Sequence, residues 1–266
     1  MKKKTVLLTG AGSGLGKEAA LTLAKRGHYV IATVLFEEEK IELEEIAKKQ
    51  GLHLISFVLD IRKQEDREKI YSYSFDVFFA NAAIGESGSV SEAPIEKIRE
   101  VFETNIFANI TLVQMVIKNM VEKKKEGRIV FLASLAGRIP MPFLSPYCAS
   151  KASIEIFATC LRQEMKLLEQ NHIEIAIIEP GAYATGFNKE NNEKMYEWMG
   201  QSSYFYSIID KIKQVQEKVW NFIEIKPFDS IIKKYVKVVE TTKLRPRYSA
   251  PWYQVFLIQL GRIIGM

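Results

Sequence analysis

The chain has 266 residues, of which 47% are hydrophobic and 26% are charged, a composition typical of soluble globular proteins. This length fits one domain spanning residues 1–266, because α/β folds of this size often form a single core. The net charge of +5 comes from lysines and arginines spread along the chain, so a nucleic-acid partner is not indicated.

Cysteine usage and hydropathy limit the expected location. Cys148 and Cys160 are too few for a disulfide framework, and neither stands in a metal-ligand spacing. We therefore expect a reducing, cytoplasmic location and no bound metal. The apolar stretch 255–264 has about half of the ~20 residues that a membrane span needs. No transmembrane segment is predicted, whereas contact of this stretch with a membrane surface stays open.

From residue 5 to about residue 180, short apolar runs alternate with stretches of helical periodicity. This alternation is typical of βαβ units around a parallel sheet. The six predicted strands are Thr5–Thr9, Tyr29–Val34, Leu54–Leu59, Asp76–Ala80, Arg128–Ala133 and Glu174–Ile178. The predicted helices between them are Leu15–Arg26, Glu38–Lys49, Ile95–Glu122 and Pro146–Gln170. The sequence therefore predicts an α/β fold with a doubly wound, Rossmann-type parallel sheet and helices on both faces.

The pattern changes after Pro180. Residues 186–207 are rich in Met, Trp, Tyr and Phe, and we interpret them as a substrate lid that begins a C-terminal extension, 186–266. Helical spacing returns twice in this extension, and Arg247–Ser249 is a candidate last strand. Because no repeat or linker divides the chain, the extension is expected to belong to the same domain.

A glycine-rich turn, Thr9-Gly10-Ala11-Gly12-Ser13-Gly14-Leu15-Gly16, joins the first strand to the first helix. Glycines let the backbone adopt positive φ and approach a pyrophosphate closely. The free amides at the helix N-terminus are donors for phosphate oxygens. The turn therefore predicts a dinucleotide-phosphate site formed by Gly10, Ser13, Gly14, Leu15 and Gly16.

Ser134, Tyr147 and Lys151 form the strongest candidate catalytic group. Tyr147 and Lys151 are one helical turn apart, so they project from one helix face, where the ammonium favours the tyrosinate. An unperturbed tyrosine pKa of about 10 is too high for efficient proton transfer near neutrality. The spacing therefore predicts that Lys151 lowers the pKa of Tyr147.

The T-G-x-x-x-G-x-G turn, Ser134 and the Y-x-x-x-K motif occur in the order of the short-chain dehydrogenase/reductase family, which the chain resembles over about residues 5–186. The resemblance implies a hydride transfer between NAD(P) and an alcohol or carbonyl carbon. It implies that Ser134 and Tyr147 hydrogen-bond the substrate oxygen and that Tyr147 is the acid/base. Lys151 would bind the nicotinamide ribose, and Asn105 matches an asparagine that helps to hold a proton-relay water.

The resemblance also implies further cofactor contacts. The residues concerned are Asp60, Ile61, Asn81, Ala82, Tyr147, Lys151, Pro180, Gly181 and Thr185. Asn81-Ala82-Ala83 is similar to the family's N-A-G motif, but Ala80 and Ala83 stand where the family usually has Asn and Gly. We expect these substitutions to change local packing more than chemistry.

The choice between NAD and NADP stays open. Thr33 occupies the position where an acidic residue of the family favours NAD, and no arginine that would favour NADP is nearby. The absence of a carboxylate at position 33 slightly favours NADP, whereas the acidic residues Glu37–Glu39 close by favour NAD. Weak discrimination between the two cofactors is expected.

The aromatic lid and the segment 139–144 suit an apolar ligand. We expect an alcohol or ketone on a lipid-like, steroid-like or retinoid-like skeleton, and the chain in this respect resembles the hydroxysteroid and retinol branch of the family. Alternatively, these aromatic residues pack the lid or a subunit interface. The family often pairs helices equivalent to 95–122 and 146–170 across a two-fold axis, which implies a homodimer or homotetramer.

Two other functions are compatible with the same motifs. One is a non-catalytic NAD(P)-binding sensor or scaffold, against which the complete set of Ser134, Tyr147 and Lys151 argues. The other is an epimerase or dehydratase of the same fold, which would use a transient hydride step. Net turnover of the cofactor distinguishes a dehydrogenase from both.

Overall fold

The computed structural model describes residues 2–168 and 172–264. Its centre is a sheet of seven strands in the order β3-β2-β1-β4-β5-β6-β7, with every neighbouring pair parallel. The strands are β1 (Thr5–Leu8), β2 (Tyr29–Val34), β3 (Leu54–Val58), β4 (Val77–Ala80), β5 (Gly127–Leu132), β6 (Ile173–Pro180) and β7 (Arg247–Ala250). The predicted doubly wound α/β fold is confirmed, including the short last strand.

Helices connect the strands and form the C-terminal extension. In chain order they are α1 (Gly14–Lys25), α2 (Glu37–Lys49), α3 (Gln64–Glu68), α4 (Ile95–Phe102), α5 (Asn109–Glu122), α6 (Ser145–Met165), α7 (Phe187–Trp198), α8 (Ile209–Ile223), α9 (Asp229–Glu240) and α10 (Trp252–Ile263). Of these, α6 corresponds to the predicted helix Pro146–Gln170 and ends at Met165, and its predicted end, Gln170, lies outside the described residues.

Alternating side chains of the strands divide the interior into two cores, one on each face of the sheet. Val6 and Leu8 of β1 lie in the core covered by α1 and α9, whereas Leu7 lies in the core covered by α5 and α6. None of these three side chains is exposed. Because both faces are covered by helices, ligands reach the sheet at the ends of its strands.

The predicted helix Ile95–Glu122 needs one correction. A π-helical turn at Glu103–Ala108 interrupts it between α4 and α5. The Asn109 side chain donates hydrogen bonds to the carbonyls of Thr104 and Asn105, at 3.0 and 3.3 Å. A single π turn hardly alters the apolar periodicity, so the sequence pattern did not reveal it.

The residues interpreted as a lid form α7 and the segment that leads into α8. Met195 and Met199 pack with Ile212 in a small core separate from the two main ones. Trp198 Nε1 donates a hydrogen bond to Glu86 Oε1 at 3.1 Å, which fastens α7 to the loop after β4. Within residues 2–168 and 172–264, no helix is long and apolar enough to span a membrane.

Candidate active site

A cleft opens at the carboxyl ends of β1 and β4, where the strand order changes direction and where open α/β sheets bind ligands. It has a volume of about 810 Å³ and continues past the ends of β5 and β6. The predicted site residues that line it are Gly10, Ser13, Gly14, Leu15, Gly16, Asp60, Ile61, Asn81, Ala82, Ser134, Tyr147, Lys151, Pro180, Gly181 and Thr185. Thr33 and Asn105 do not line it.

At Gly10 and Gly16, the glycine turn makes close backbone contacts that leave no room for a side chain. Gly10 has a φ of +66°, and a Cβ atom there would lie 2.8 Å from the Ala82 Cα. A Cβ atom on Gly16 would lie 2.1 Å from the Gly10 carbonyl oxygen. The first amides of α1 have no intrahelical acceptor and are available to an anion in the cleft.

Asn81 fixes the floor of this turn. Its Nδ2 donates hydrogen bonds to the carbonyls of Thr9 and Gly10, at 2.7 and 3.1 Å. Its Oδ1 accepts a hydrogen bond from the Tyr235 hydroxyl at 2.8 Å. Tyr235 is fully buried and lines the cleft, but it was not among the predicted site residues. A buried tyrosine usually needs a hydroxyl partner, which was the only available signal.

Ser134 and Tyr147 both line the cleft. Ser134 follows β5, and its hydroxyl accepts a hydrogen bond from the Ala136 amide at 3.1 Å and donates to the Pro180 carbonyl at 3.4 Å. Tyr147 lies in the first turn of α6, and the centroid of its ring is 5.3 Å from that of the Phe187 ring. The serine thus lies between the tyrosine and the segment Pro180-Gly181 that closes the cleft.

Lys151 lies beneath the tyrosine in a buried position. Its Nζ donates a hydrogen bond to the Leu132 carbonyl at 2.8 Å and lies 5.7 Å from the centroid of the Tyr147 ring. Burial lowers the pKa of the Lys151 ammonium to about 8. An ammonium with this pKa can exchange protons near neutral pH.

The expected lowering of the tyrosine pKa does not occur in this structure. Burial raises the pKa of Tyr147 to about 12, and the nearby Ser134 hydroxyl only partly opposes this effect. The reason is that desolvation penalises the phenolate more than its neighbours stabilise it. Tyr147 is therefore a neutral phenol that is able to donate a proton.

Asn105 lies in the π turn and faces away from the cleft. Its Oδ1 accepts a hydrogen bond from the Ile84 amide, and its Nδ2 donates to the Ile84 carbonyl, both at 2.9 Å. Nδ2 also donates to the Ser150 hydroxyl at 3.0 Å. Asn105 thus joins the loop after β4 to α6 at Ser150, the residue before Lys151. This contact can position Lys151, but Asn105 itself does not line the cleft.

Thr33 also lies away from the cleft, with no exposed surface. Side chains alternate along β2, so Thr33 points into the interior, and Val34 and Leu35 line the cleft in its place. Glu39 was not among the predicted site residues. Its Oε2 accepts hydrogen bonds from the amides of Leu35 and Phe36 at 3.0 and 3.2 Å, and the carboxylate packs against Gly12.

Asp60 lies at the same end of the cleft and is paired with Arg62. The Arg62 Nε and Nη2 atoms donate hydrogen bonds to the two carboxylate oxygens of Asp60, at 3.0 and 2.9 Å. The Arg62 guanidinium lowers the pKa of Asp60 below its ordinary value, so this carboxyl group is ionised at neutral pH. The charge of Arg62 is largely committed to this pair.

The segment Pro180-Gly181 is held by the C-terminal extension. The Gly181 amide donates a hydrogen bond to the Ala250 carbonyl at 2.8 Å, and the Ala182 amide donates to Gln254 Oε1 at 2.9 Å. Thr185 follows, and its Cβ lies 3.4 Å from where a Cβ on Gly14 would be. Both edges of the cleft therefore approach each other above the glycine turn.

The end of the cleft beyond Tyr147 is predominantly apolar. Its wall comes from the segment before α6 and from three helices of the C-terminal extension. These side chains are Ile139, Met141, Leu144, Phe187, Trp220, Ile223, Leu257 and Ile258. Among the described residues, no group of three or more His, Cys, Asp or Glu could hold a metal ion.

Comparison with known proteins places this geometry in a family. The model of the short chain dehydrogenases matches residues 4–196. The probable short-chain type dehydrogenase/reductase VdlC of Helicobacter pylori is 28% identical, over 96% of this chain and 98% of that protein. The 3-ketodihydrosphingosine reductase of Bacteroides thetaiotaomicron is also 28% identical, over 83% of this chain and 79% of that protein.

A solved structure shares the fold. The short chain dehydrogenase/reductase of Burkholderia phymatum in complex with NAD has a TM-score of 0.81 and 18% identity, over 98% of this chain and 94% of that one. The fold, the glycine turn and the family match agree with one another. The chain belongs to the short-chain dehydrogenase family of oxidoreductases.

Proposed function

We propose that this protein interconverts an alcohol and a ketone or aldehyde, with Tyr147 as the catalytic acid/base. The observation that carries the proposal is the meeting of Ser134, Tyr147 and Lys151 in one cleft with the glycine turn. A sensor or scaffold that only bound a nucleotide would need the glycine turn but not this trio. The same trio does not exclude an epimerase or dehydratase, which net cofactor turnover would distinguish.

The residues of the cleft fit a nicotinamide dinucleotide. The backbone contacts at Gly10 and Gly16 would be broken by any Cβ atom, so the turn keeps the start of α1 at the cleft, where its first amides lack intrahelical acceptors. Asp60 and Ile61 line one end, and Thr185 and Gly181 line the other. The bound nicotinamide would supply or accept the hydride.

The chain's own groups would handle the substrate oxygen and its proton. Ser134 would donate a hydrogen bond to the carbonyl oxygen and orient it towards Tyr147. Tyr147 is a neutral phenol and would donate its proton to that oxygen during reduction. The Lys151 ammonium would offset the negative charge left on the phenol oxygen and help to return a proton to it.

For the cofactor, we propose a preference for NAD over NADP. The Glu39 carboxylate reaches the glycine turn at Gly12, at the end of the cleft formed by β2 and Asp60. A 2′-phosphate bound there would be repelled by this negative charge. Arg62 lines the same region but already pairs with Asp60. The position of Glu39 supports this proposal, against the slight preference for NADP that the missing carboxylate at Thr33 suggested.

We propose a predominantly apolar substrate. The wall beyond Tyr147 is built from aliphatic and aromatic side chains, which favour a hydrocarbon skeleton. One relative is named for the reduction of 3-ketodihydrosphingosine, in agreement with such a skeleton. A single hydroxyl or carbonyl group at the reacting carbon would find polar partners in Ser134 and Tyr147.

A homodimer is also proposed. Phe107 beside α5 and Ile156 and Phe157 on α6 are exposed by 59, 65 and 47%, on the helices that the family resemblance assigned to subunit contacts. Large apolar side chains grouped on adjacent helices are typical of an interface between subunits. Light scattering coupled to size-exclusion chromatography tests this point, since Ile156→Glu should shift a dimer towards the monomer.

The experiment for the main proposal follows the oxidation of NADH and NADPH with ketones of increasing hydrocarbon length. We expect net turnover, a higher kcat/KM for longer ketones, and a preference for NADH. Tight binding of the cofactor, seen by its fluorescence, without turnover across the series would favour the sensor. If small, charged ketones were added to the series and turnover were restricted to them, the result would contradict the apolar substrate but not the dehydrogenase reaction.

A further inference from the structure

The C-terminal extension carries an unusually large exposed apolar surface. On α10, the large apolar side chains lie on one side of the helix, and this side is open to solvent. The same is true of a stripe on α8. The exposed side chains, here called the C-terminal apolar face, are Val215, Val219, Phe222, Trp252, Tyr253, Phe256, Leu257, Leu260, Ile263 and Ile264.

The arrangement on α10 follows helical geometry. At 100° per residue, Trp252, Phe256, Leu260 and Ile263 fall within one sector of the helix, whereas Gln254 falls outside it. Gln254 fastens the opposite side of α10 to the rest of the protein, since its side chain forms hydrogen bonds with the Ala182 amide and the Ile223 carbonyl. No residue of α10 is buried, so packing within the chain does not explain its apolar side.

The two helices are joined near the end of α8. Gln254 Nε2 donates a hydrogen bond to the Ile223 carbonyl at the end of α8, at 2.8 Å. Phe222, next to Ile223, is the most exposed member of the face, at 89%. Trp220 and Ile258 line the catalytic cleft from these same helices, so the apolar wall of the cleft lies beside the apolar face.

The charge of the C-terminal segment favours an anionic partner. Residues 209–264 contain eleven Lys and Arg against five Asp and Glu, a net charge of +6, whereas the whole chain carries only +5. The positive charge is therefore concentrated in the C-terminal extension. Within the described part of α10, the only charged residue is Arg262, and α8 exposes Lys211 and Lys218 beside its apolar stripe.

We propose that the C-terminal apolar face docks onto the surface of an anionic phospholipid bilayer. A helix with an apolar side and basic neighbours lies in the membrane interface, and Trp252 and Tyr253 are side chains that favour this level. A second copy of the same face is the less suitable partner, because a two-fold contact would bring two segments of the same positive charge together. This docking does not depend on the identity of the substrate.

The docking has a consequence for the cleft. Because Leu257 belongs both to the apolar face and to the wall of the cleft, a docked protein would hold the mouth of the cleft close to the acyl chains. A hydrocarbon substrate could then enter without crossing water. This second step rests on the proposed function, whereas the docking itself is tested without any substrate.

The test is vesicle flotation of the full chain, with phosphatidylcholine alone or mixed with phosphatidylserine. The wild type should float with the mixed vesicles, and Phe222→Glu/Phe256→Glu should weaken this binding about tenfold or more. Neither phenylalanine lines the cleft. The control, Ile41→Glu/Tyr71→Glu, adds the same charge at apolar residues that are exposed by 51 and 40% outside the face, and it should bind like the wild type.

The outcomes separate the possible partners. Circular dichroism should confirm that both double variants fold, which their exposed positions favour. Failure of the wild type to bind either kind of vesicle would overturn the proposal, as would equal loss of binding in the control. A third outcome is that the wild type does not bind vesicles but forms an oligomer, which Phe222→Glu/Phe256→Glu dissociates. The face would then belong to a subunit interface.

Discussion

The Tyr235 hydroxyl donates a hydrogen bond to Oδ1 of Asn81 at 2.8 Å, joining α9 to the end of β4. The Tyr235 ring also stacks on Phe79, with 5.3 Å between centroids. Asn81 in turn bonds the backbone of the glycine turn. A residue late in the chain thus orients the turn on which cofactor binding depends.

Tyr235→Phe should therefore raise the KM for the cofactor about fivefold and leave kcat nearly unchanged, since one buried hydrogen bond contributes about 1 kcal/mol. Steady-state kinetics with varied cofactor measures both constants. Tyr183→Phe is the matched control, because its hydroxyl bonds Ser230 instead of the turn. Equal effects of the two substitutions would argue against a positioning role for Tyr235.

Glu39→Gln should weaken the preference for NAD. The amide keeps an oxygen that can accept the bonds from Leu35 and Phe36 but removes the negative charge beside Gly12. We expect the ratio of kcat/KM for NADP to that for NAD to rise about tenfold, equivalent to about 1.4 kcal/mol. Glu38→Gln on the same helix is the control, and an unchanged ratio in Glu39→Gln would show that another group selects the cofactor.

Lys151 should make stability depend on pH in the alkaline range. Its pKa is about 8 in the folded protein and 10.5 as an exposed lysine. Between these values the unfolded chain holds a proton that the folded protein has lost, so raising the pH favours the folded state. Below pH 8 both states are protonated, and the cost of burying the charge is constant.

Denaturant unfolding of the wild type and Lys151→Met at pH 7.5 and pH 10 measures this effect. Relative to the variant, the free energy of unfolding of the wild type should rise by about 1–3 kcal/mol over this interval. A difference that stays constant, or falls, would mean that Lys151 is not desolvated as its position indicates. Lys48→Met removes an exposed lysine and should give no such change.

Glu179 lies near the end of β6, next to Pro180, which lines the cleft. It is completely buried and accepts hydrogen bonds from Arg138, Arg247 and Ser249. Glu179→Gln would leave two arginines without their shared counter-charge, which should lower the free energy of unfolding by about 3–5 kcal/mol. Urea unfolding tests this, with Glu37→Gln as the exposed control that should change stability by less than about 1 kcal/mol.

The sheet could be predicted because its strands are buried on both faces. Runs such as Val6–Leu8 and Ile129–Leu132 are then continuously apolar, and turn residues mark their ends. The glycine turn and the Tyr147–Lys151 spacing are also local in sequence. Local patterns therefore sufficed for the fold class, the glycine turn and the pair of Tyr147 and Lys151, whereas most other residues that line the cleft were not identified by them.

What the sequence could not predict depends on contacts between distant segments or on a shift by one residue. Tyr235 and Asn81 are 154 positions apart, so no local pattern joins them. Thr33 was expected in the cleft, but alternation along β2 turns it inward and presents Val34 instead. The tyrosine pKa depends on burial, which spacing along a helix does not measure.

The role of Tyr147 is tested most directly by Tyr147→Phe in single-turnover reduction of a long-chain ketone with bound cofactor. The ring is kept and only the hydroxyl is lost, so cofactor affinity should stay within about twofold while the rate falls by about 10²-fold or more. Tyr183→Phe, also in the cleft, should react like the wild type. If Tyr147→Phe reduced the ketone at the wild-type rate, Tyr147 would not be the acid/base.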